Sequence, residues 1–81
     1  MTSAPAISRR LKLEGITVVA TRNREGVRVT RSLGCVRVSI DFDSGRERRV
    51  HALYVGEILA AAGYTVERHE DAETLSFTVT R

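Results

Sequence analysis

Alternating hydrophobic and polar residues predict strands on both sides of a single helical segment. The clearest alternation covers residues 36–42, and a similar pattern covers residues 27–30. Residues 11–21 also alternate, with a change of phase at a glycine that indicates a first strand with a bulge. Two further runs, at residues 64–66 and 74–80, predict a hairpin at the C-terminal end of the chain.

The period changes after residue 43, where the sequence predicts the start of a helix. Ser44 is followed three positions later by Glu47, which is the spacing of a capping box. Gly63 supplies a residue that readily takes the left-handed conformation with which many helices end. We therefore expect a helix from Ser44 to about Ala62.

These elements follow the order β-β-β-α-β-β and predict an α+β fold, with an antiparallel sheet of about five strands and one helix packed on one face. Residues 1–8 form a short polar segment that we expect to be a disordered N-terminal tail, and residues 9–81 are expected to form a single domain. A chain of 81 residues buries only about 60% of the surface that its unfolded form exposes. Its stability is therefore small, which makes self-association an alternative to a monomer.

The predicted helix is amphipathic, but its outer side is only weakly polar. At about 100° per residue, the side expected to face the sheet comprises His51, Tyr54, Val55, Ile58, Leu59 and Ala62. The candidate partner-binding face on the other side comprises Arg49, Ala52, Leu53, Gly56 and Ala60. Small residues recur there every four positions, and a glycine within a helix costs about 1 kcal/mol relative to alanine. Either this surface is an ordinary solvated one or, as we expect, the small residues allow a second copy to approach closely.

The positive charge is concentrated in the first part of the chain. The net charge is +3, and twelve of the thirteen basic residues are arginine, which is typical of a GC-rich genome such as that of a bacterium or its phage. Candidate contacts to phosphate or to another anionic partner are Lys12, Arg22, Arg24, Arg28, Arg31 and Arg37. Arginine suits phosphate oxygens, so nucleic-acid binding by this basic hairpin is the alternative function. Aromatic residues make up only 5% of the chain, which argues against stacking on single-stranded bases.

Few residues offer catalytic or metal-binding chemistry. The sequence has no CxxC pair, HExxH motif, phosphate-binding loop or GxGxxG motif. Cys35, His51 and His69 are not spaced like metal ligands. Asp41 and Asp43 lie on one side of the predicted strand, but Asp43 is better explained by the positive end of the helix that follows. We therefore expect no catalytic residues, no metal and no cofactor.

The function expected from these patterns is that of a small non-catalytic protein-interaction module, with a regulatory, inhibitory or assembly role. Its partner is expected to be a protein, including a second copy of the chain bound through the outer face of the helix. The single cysteine indicates a reducing, cytoplasmic setting. No run of about 18 apolar residues occurs, so no membrane-spanning segment is expected.

Overall fold

A computed structural model describes residues 3–21 and 24–81, and it confirms an α+β fold built on an antiparallel sheet. The described residues form α1 (Ala4–Leu13), β1 (Gly26–Ser32), β2 (Cys35–Asp41), α2 (Gly45–Ala61), β3 (Thr65–Glu70) and β4 (Leu75–Thr80). The strands lie in the order β1-β2-β4-β3, so each hairpin contributes two neighbouring strands. Within these residues there are four strands rather than about five, and two helices rather than one.

The main difference from the sequence prediction is α1, which replaces both the expected tail and the start of the expected first strand. Ser3 caps this helix, since its side chain accepts a hydrogen bond from the Ala6 N–H at 3.4 Å, and a proline occupies the first turn. Both are helix-start signals. Ile7 and Leu11 lie four residues apart, on one side of the helix, and both are completely buried. The N-terminal segment is therefore part of the hydrophobic core.

The second half of the expected first strand is an irregular segment that meets β1 at one point. The Val19 N–H donates to the Val27 carbonyl at 2.9 Å, and the Val27 N–H donates to the Thr17 carbonyl at 3.0 Å. This forms an isolated parallel bridge between Val18 and Val27. Gly15, expected in a bulge, follows the end of α1 with φ +85°, as helix-terminating glycines often do.

One face of the sheet is apolar and carries both helices. The strand register places one set of buried side chains on this face, namely Val27, Val36, Val38, Ile40, Leu75, Phe77 and Val79. They form a single cluster with Ile7 and Leu11 of α1 and with the buried residues of α2. The α1 helix lies against β1, whereas α2 lies across β2, β4 and β3. The other face of the sheet has no helix among the described residues.

The α2 helix begins and ends close to the predicted residues. The Ser44 hydroxyl accepts a hydrogen bond from the Glu47 N–H at 3.4 Å, and Ala62 is the C-terminal cap. Gly63 follows with φ +91°. Arg48, in the first turn, donates from Nη1 to the Phe42 carbonyl at 2.6 Å and from Nη2 to the Ala72 carbonyl at 3.2 Å. Arg48 therefore joins the start of α2 to the β3–β4 turn.

The β1–β2 hairpin closes through a two-residue turn, Leu33–Gly34, in which the backbone of Leu33 is strained. Both turn residues have positive φ, +47° at Leu33 and +84° at Gly34, which is the pattern of a type I′ turn. Asparagine tolerates this region well, whereas a residue such as leucine is held there at a cost of about 1–2 kcal/mol. The Leu33 side chain is fully exposed, so no packing compensates for this cost.

We expect Leu33→Asn to raise the free energy of unfolding by about 1 kcal/mol, because asparagine followed by glycine is the preferred type I′ pair. For a domain of this size, that change corresponds to an increase of roughly 4–8 °C in Tm. Thermal and urea denaturation followed by circular dichroism measure both quantities. Leu33→Ala is the control, because it removes the side chain but keeps an unfavourable residue. An equal gain in both variants would show that the turn strain is not the cause.

Candidate interaction surfaces

The α2 helix is rotated about its axis relative to the orientation predicted from its sequence. Its buried residues are Ala52, Val55 and Leu59, which contact the sheet or α1 as part of the core cluster. Tyr54, expected to face the sheet, is 54% exposed. The prediction was wrong at this residue because it assumed that one helix covers the sheet. In the structure, α1 also packs on the same face, against β1.

The rotation removes two residues from the predicted partner-binding face. Ala52 is only 2% exposed. Gly56 faces Phe77, since a β-carbon at this position would lie 3.7 Å from the Phe77 Cζ atom. Both small residues therefore pack against the interior of their own molecule. Arg49, Leu53 and Ala60 remain exposed, so the continuous row of small residues is not available to a second helix.

What the outer side of α2 offers is a group of larger apolar residues, which we call the α2 patch. Val50 is 42% exposed, Leu53 is 58% exposed and Tyr54 is 54% exposed. Their spacing places them on neighbouring turns of the same side of the helix. Leu53 was among the predicted contacts, whereas Val50 and Tyr54 were missed. The sequence would have predicted that Val50 and Tyr54 are exposed only if Ala52 had been assigned to the buried side of the helix.

A groove of about 320 Å³ adjoins the α2 patch on the side of the segment that follows α1. Tyr54, Ile16, Phe42 and His51 are among its lining residues. The rings of Phe42 and His51 stack with their centroids 4.0 Å apart. The Nδ1 atom of His51 lies 2.8 Å from the Glu47 carbonyl oxygen, so a backbone group in its own helix satisfies this histidine. These contacts give His51 a structural role.

The helix-free face of the sheet brings together three of the six basic residues predicted to bind an anionic partner. The β1–β2 register pairs Arg28 with Ser39 and Thr30 with Arg37, which places both arginines on this face. A second groove, with a volume of about 540 Å³, lies on this face, and Arg24 lines it together with Arg28 and Arg37. Ser39 of β2 and Ser76 of β4 line the same groove. Arg24, Arg28 and Arg37 therefore line one groove, and their binding to an anionic partner stays a prediction.

The other three predicted basic contacts do not belong to this group. Arg31 is three residues from Arg28, so on a strand its side chain is directed to the opposite face. Lys12 lies on α1, which packs on the other side of the sheet. Arg22 lies outside the described residues. Arg31 and Lys12 therefore do not lie with Arg28 and Arg37, because Arg31 is on the opposite face of β1 and Lys12 is on a helix.

Carboxylates offset the positive charge of this groove. The lining residues include Glu25, Asp41, Asp43 and Glu73, so three arginines face four acidic residues and the formal charge is −1. Arg28 Nε donates to Asp41 Oδ2 at 3.0 Å, and both side chains are partly buried. A polyanion such as nucleic acid would therefore meet paired charges rather than a basic surface. Nucleic-acid binding stays a prediction that this charge balance does not favour.

One acidic residue next to this groove has a perturbed pKa. Asp71 Oδ1 accepts hydrogen bonds from the Glu73 N–H at 2.9 Å and from the Thr74 N–H at 2.8 Å. These two backbone donors, with a smaller contribution from the Thr74 hydroxyl, lower the pKa of Asp71 below its usual value. The side chain is exposed, and its hydrogen bonds close the β3–β4 turn.

The candidate metal ligands are not brought together. His51 lies on α2, whereas His69 lies on the helix-free face of β3, where its Nε2 atom is 2.9 Å from Thr78 Oγ1. Cys35 lies at the start of β2. Among residues 3–21 and 24–81, no three His, Cys, Asp or Glu side chains form a group that could hold a metal ion.

None of the helices in the described part of the chain is both long and apolar enough to cross a membrane. Comparisons with protein-family models, with curated proteins and with solved structures found no match to this chain.

Proposed function

We propose that the protein is a small non-catalytic interaction module that associates with itself through the α2 patch. The observation that carries the proposal is the exposure of Val50, Leu53 and Tyr54 side by side on one helix face, at 42%, 58% and 54%. Single exposed apolar residues are common on protein surfaces, whereas a contiguous group of large ones is typical of an interaction site.

The composition of the patch suits a protein partner. Fully burying a valine or leucine side chain contributes about 1.5–3 kcal/mol, and tyrosine is enriched among the residues that dominate binding energy. Charged residues, Arg49 and Glu57, flank the apolar group and are exposed. An apolar centre with a polar rim is the usual organisation of a protein–protein interface. A regulatory, inhibitory or assembly role is consistent with such a surface.

The proposal that the chain is not an enzyme rests on its sequence, which contains no CxxC pair, HExxH motif, phosphate-binding loop or GxGxxG motif. In the grooves on the two faces of the sheet, Arg28 and Asp41 form an ion pair, and the rings of Phe42 and His51 stack.

Sedimentation velocity over a range of protein concentrations tests the proposal. We expect the wild type to form dimers and Leu53→Glu to be monomeric, with a dimer dissociation constant at least about 100-fold weaker, because a carboxylate would be buried without a partner. The circular dichroism spectrum should be unchanged, since Leu53 lies outside the core. The Tm should match that of the wild type at concentrations where both proteins are monomeric, and the wild type should be the more stable where it is dimeric.

Leu33→Glu is the matched control, because it makes the same replacement at an exposed leucine in the β1–β2 turn. It should leave the dimer intact. Wild-type protein that sediments as a monomer at every concentration would refute self-association. A Leu53→Glu variant that remains dimeric would show that another surface forms the contact.

A further inference from the structure

We infer that two copies associate with their α2 helices antiparallel, about a two-fold axis at Leu53, so that Arg49 of each copy pairs with Glu57 of the other. This inference rests on the proposed self-association through the α2 patch and adds the identity and orientation of the partner. It follows from the distribution of charge around the patch.

The two charges are placed symmetrically about Leu53. Arg49 precedes Leu53 by four residues and Glu57 follows it by four, and all three side chains are exposed. At 1.5 Å per residue, each charge lies about 6 Å from Leu53 along the helix axis, and residues four apart share one side of a helix. In a two-fold contact, residue i meets residue j and j meets i. A single Arg49–Glu57 match therefore occurs twice.

The charges also determine the direction of the second helix. On the side of α2 that carries Leu53, the N-terminal half exposes Arg46 and Arg49, and the C-terminal half exposes Glu57. Glu47 is also exposed in the N-terminal half, but it lies about 120° around the helix from Leu53, and its carboxylate lies 3.6 Å from His51 Nδ1. Antiparallel helices place the basic half of each copy against the acidic half of the other. Parallel helices would place arginine against arginine and glutamate against glutamate, which is unfavourable.

Both charged groups are available for such a contact. Neither Arg49 nor Glu57 forms an ion pair with any residue in the described ranges 3–21 and 24–81. Arg10 of α1 lines the same groove as Glu57, but the two are not within ion-pair distance. The guanidinium of Arg49 lies near Gly45, in the first turn of its own helix, with Nη1 3.3 Å from the place of a β-carbon. This position leaves the group on the exposed side of α2.

Charge reversal tests the arrangement. We expect Arg49→Glu and Glu57→Arg each to weaken dimerisation by roughly ten- to a hundred-fold, because each replaces two attractive pairs with two repulsive ones. An equimolar mixture of the two variants should form a heterodimer about as tightly as the wild type, since opposite charges meet again at both pairs. Sedimentation at low and at high salt measures these constants, and screening should reduce the differences.

Arg9→Glu, on the exposed side of α1, and Glu73→Arg, in the β3–β4 turn, are the controls and should leave dimerisation unchanged. If Leu53→Glu abolishes the dimer but both reversals stay within twofold of the wild type, the antiparallel pairing is wrong while self-association through the α2 patch stands. If the single variants weaken the dimer and their mixture does not restore it, the pairing is also wrong. A monomeric wild type would overturn both proposals.

Discussion

Replacing Ile7 with alanine is expected to lower the free energy of unfolding by about 2–5 kcal/mol. Ile7 is completely buried in α1 and belongs to the core cluster beneath the sheet. Alanine is the better helix former, so the loss reports packing rather than helix propensity. Domains of this size have a total stability of only about 4–12 kcal/mol. Urea denaturation followed by circular dichroism measures the change.

Arg9→Ala is the control, because Arg9 lies on the exposed side of the same helix, and it should change stability by less than about 0.5 kcal/mol. If Ile7→Ala does not fold, Ile7→Val provides a milder test with an expected loss of about 0.5–1.5 kcal/mol. A change at Ile7 no larger than that at Arg9 would show that the N-terminal segment does not contribute to the core.

Replacing Gly26 with alanine is expected to lower the free energy of unfolding by about 2–4 kcal/mol, since backbone strain and steric overlap both oppose the side chain. Gly26 has φ +153°, where residues with a β-carbon are strained. A β-carbon there would lie 2.9 Å from Val19 Cγ1 and 3.2 Å from the Thr17 carbonyl oxygen. Relief of these contacts would separate the 17–19 segment from β1 and break its parallel bridge. Chemical denaturation measures the loss of stability.

The matched control is the same replacement at Gly56. A β-carbon at Gly56 lies 3.7 Å from Phe77 Cζ, an ordinary van der Waals distance, and the residue is within α2. Gly56→Ala should therefore stabilise the protein by roughly 0.5–1 kcal/mol through helix propensity. Two glycine-to-alanine variants should thus change stability in opposite directions. A destabilisation at Gly56 comparable to that at Gly26 would contradict the geometry at both sites.

The regular elements that the sequence predicted correctly have a strong local signal. The β2 strand shows a long alternation of apolar and polar residues, and β4 shows the same pattern near the C-terminal end. The α2 helix has both a capping serine and a terminating glycine. In each case the period and the boundary residues indicate the same element. The α+β class and the antiparallel sheet followed from these three segments.

The N-terminal helix was missed because the apolar residues of this segment fit both a strand pattern and a helix pattern. Leu11 and Leu13 have the spacing of a strand, whereas Ile7 and Leu11 have the spacing of a helix, and only Leu11 belongs to both. The side chain of Leu13 proves to be 77% exposed. Gly15 suited either a bulge or the end of a helix. The start signals at Ser3 and Pro5 would have decided between the two readings.

The candidate site could be predicted only in part, because the orientation of an amphipathic helix depends on what surrounds it. With one helix on the sheet, the largest residues are expected to face inward, and this assigned Tyr54 to the core. With α1 also present, small Ala52 is buried and Tyr54 is exposed. Likewise, the arginines of the hairpin were visible in the sequence, but the carboxylates that β2 and the β3–β4 turn bring to the same groove were not.

The strand order has a consequence for the folding kinetics. The β1–β2 and β3–β4 hairpins each pair residues that are close in the chain, whereas β2 and β4 meet through pairs such as Val38 with Phe77, 39 positions apart. Closing this long connection has the larger entropic cost, so we expect the pairing of β2 with β4 to determine the height of the folding barrier. Either hairpin can form before β2 and β4 pair. The native strand order is reached only when α2 packs on the sheet and β4 pairs with β2.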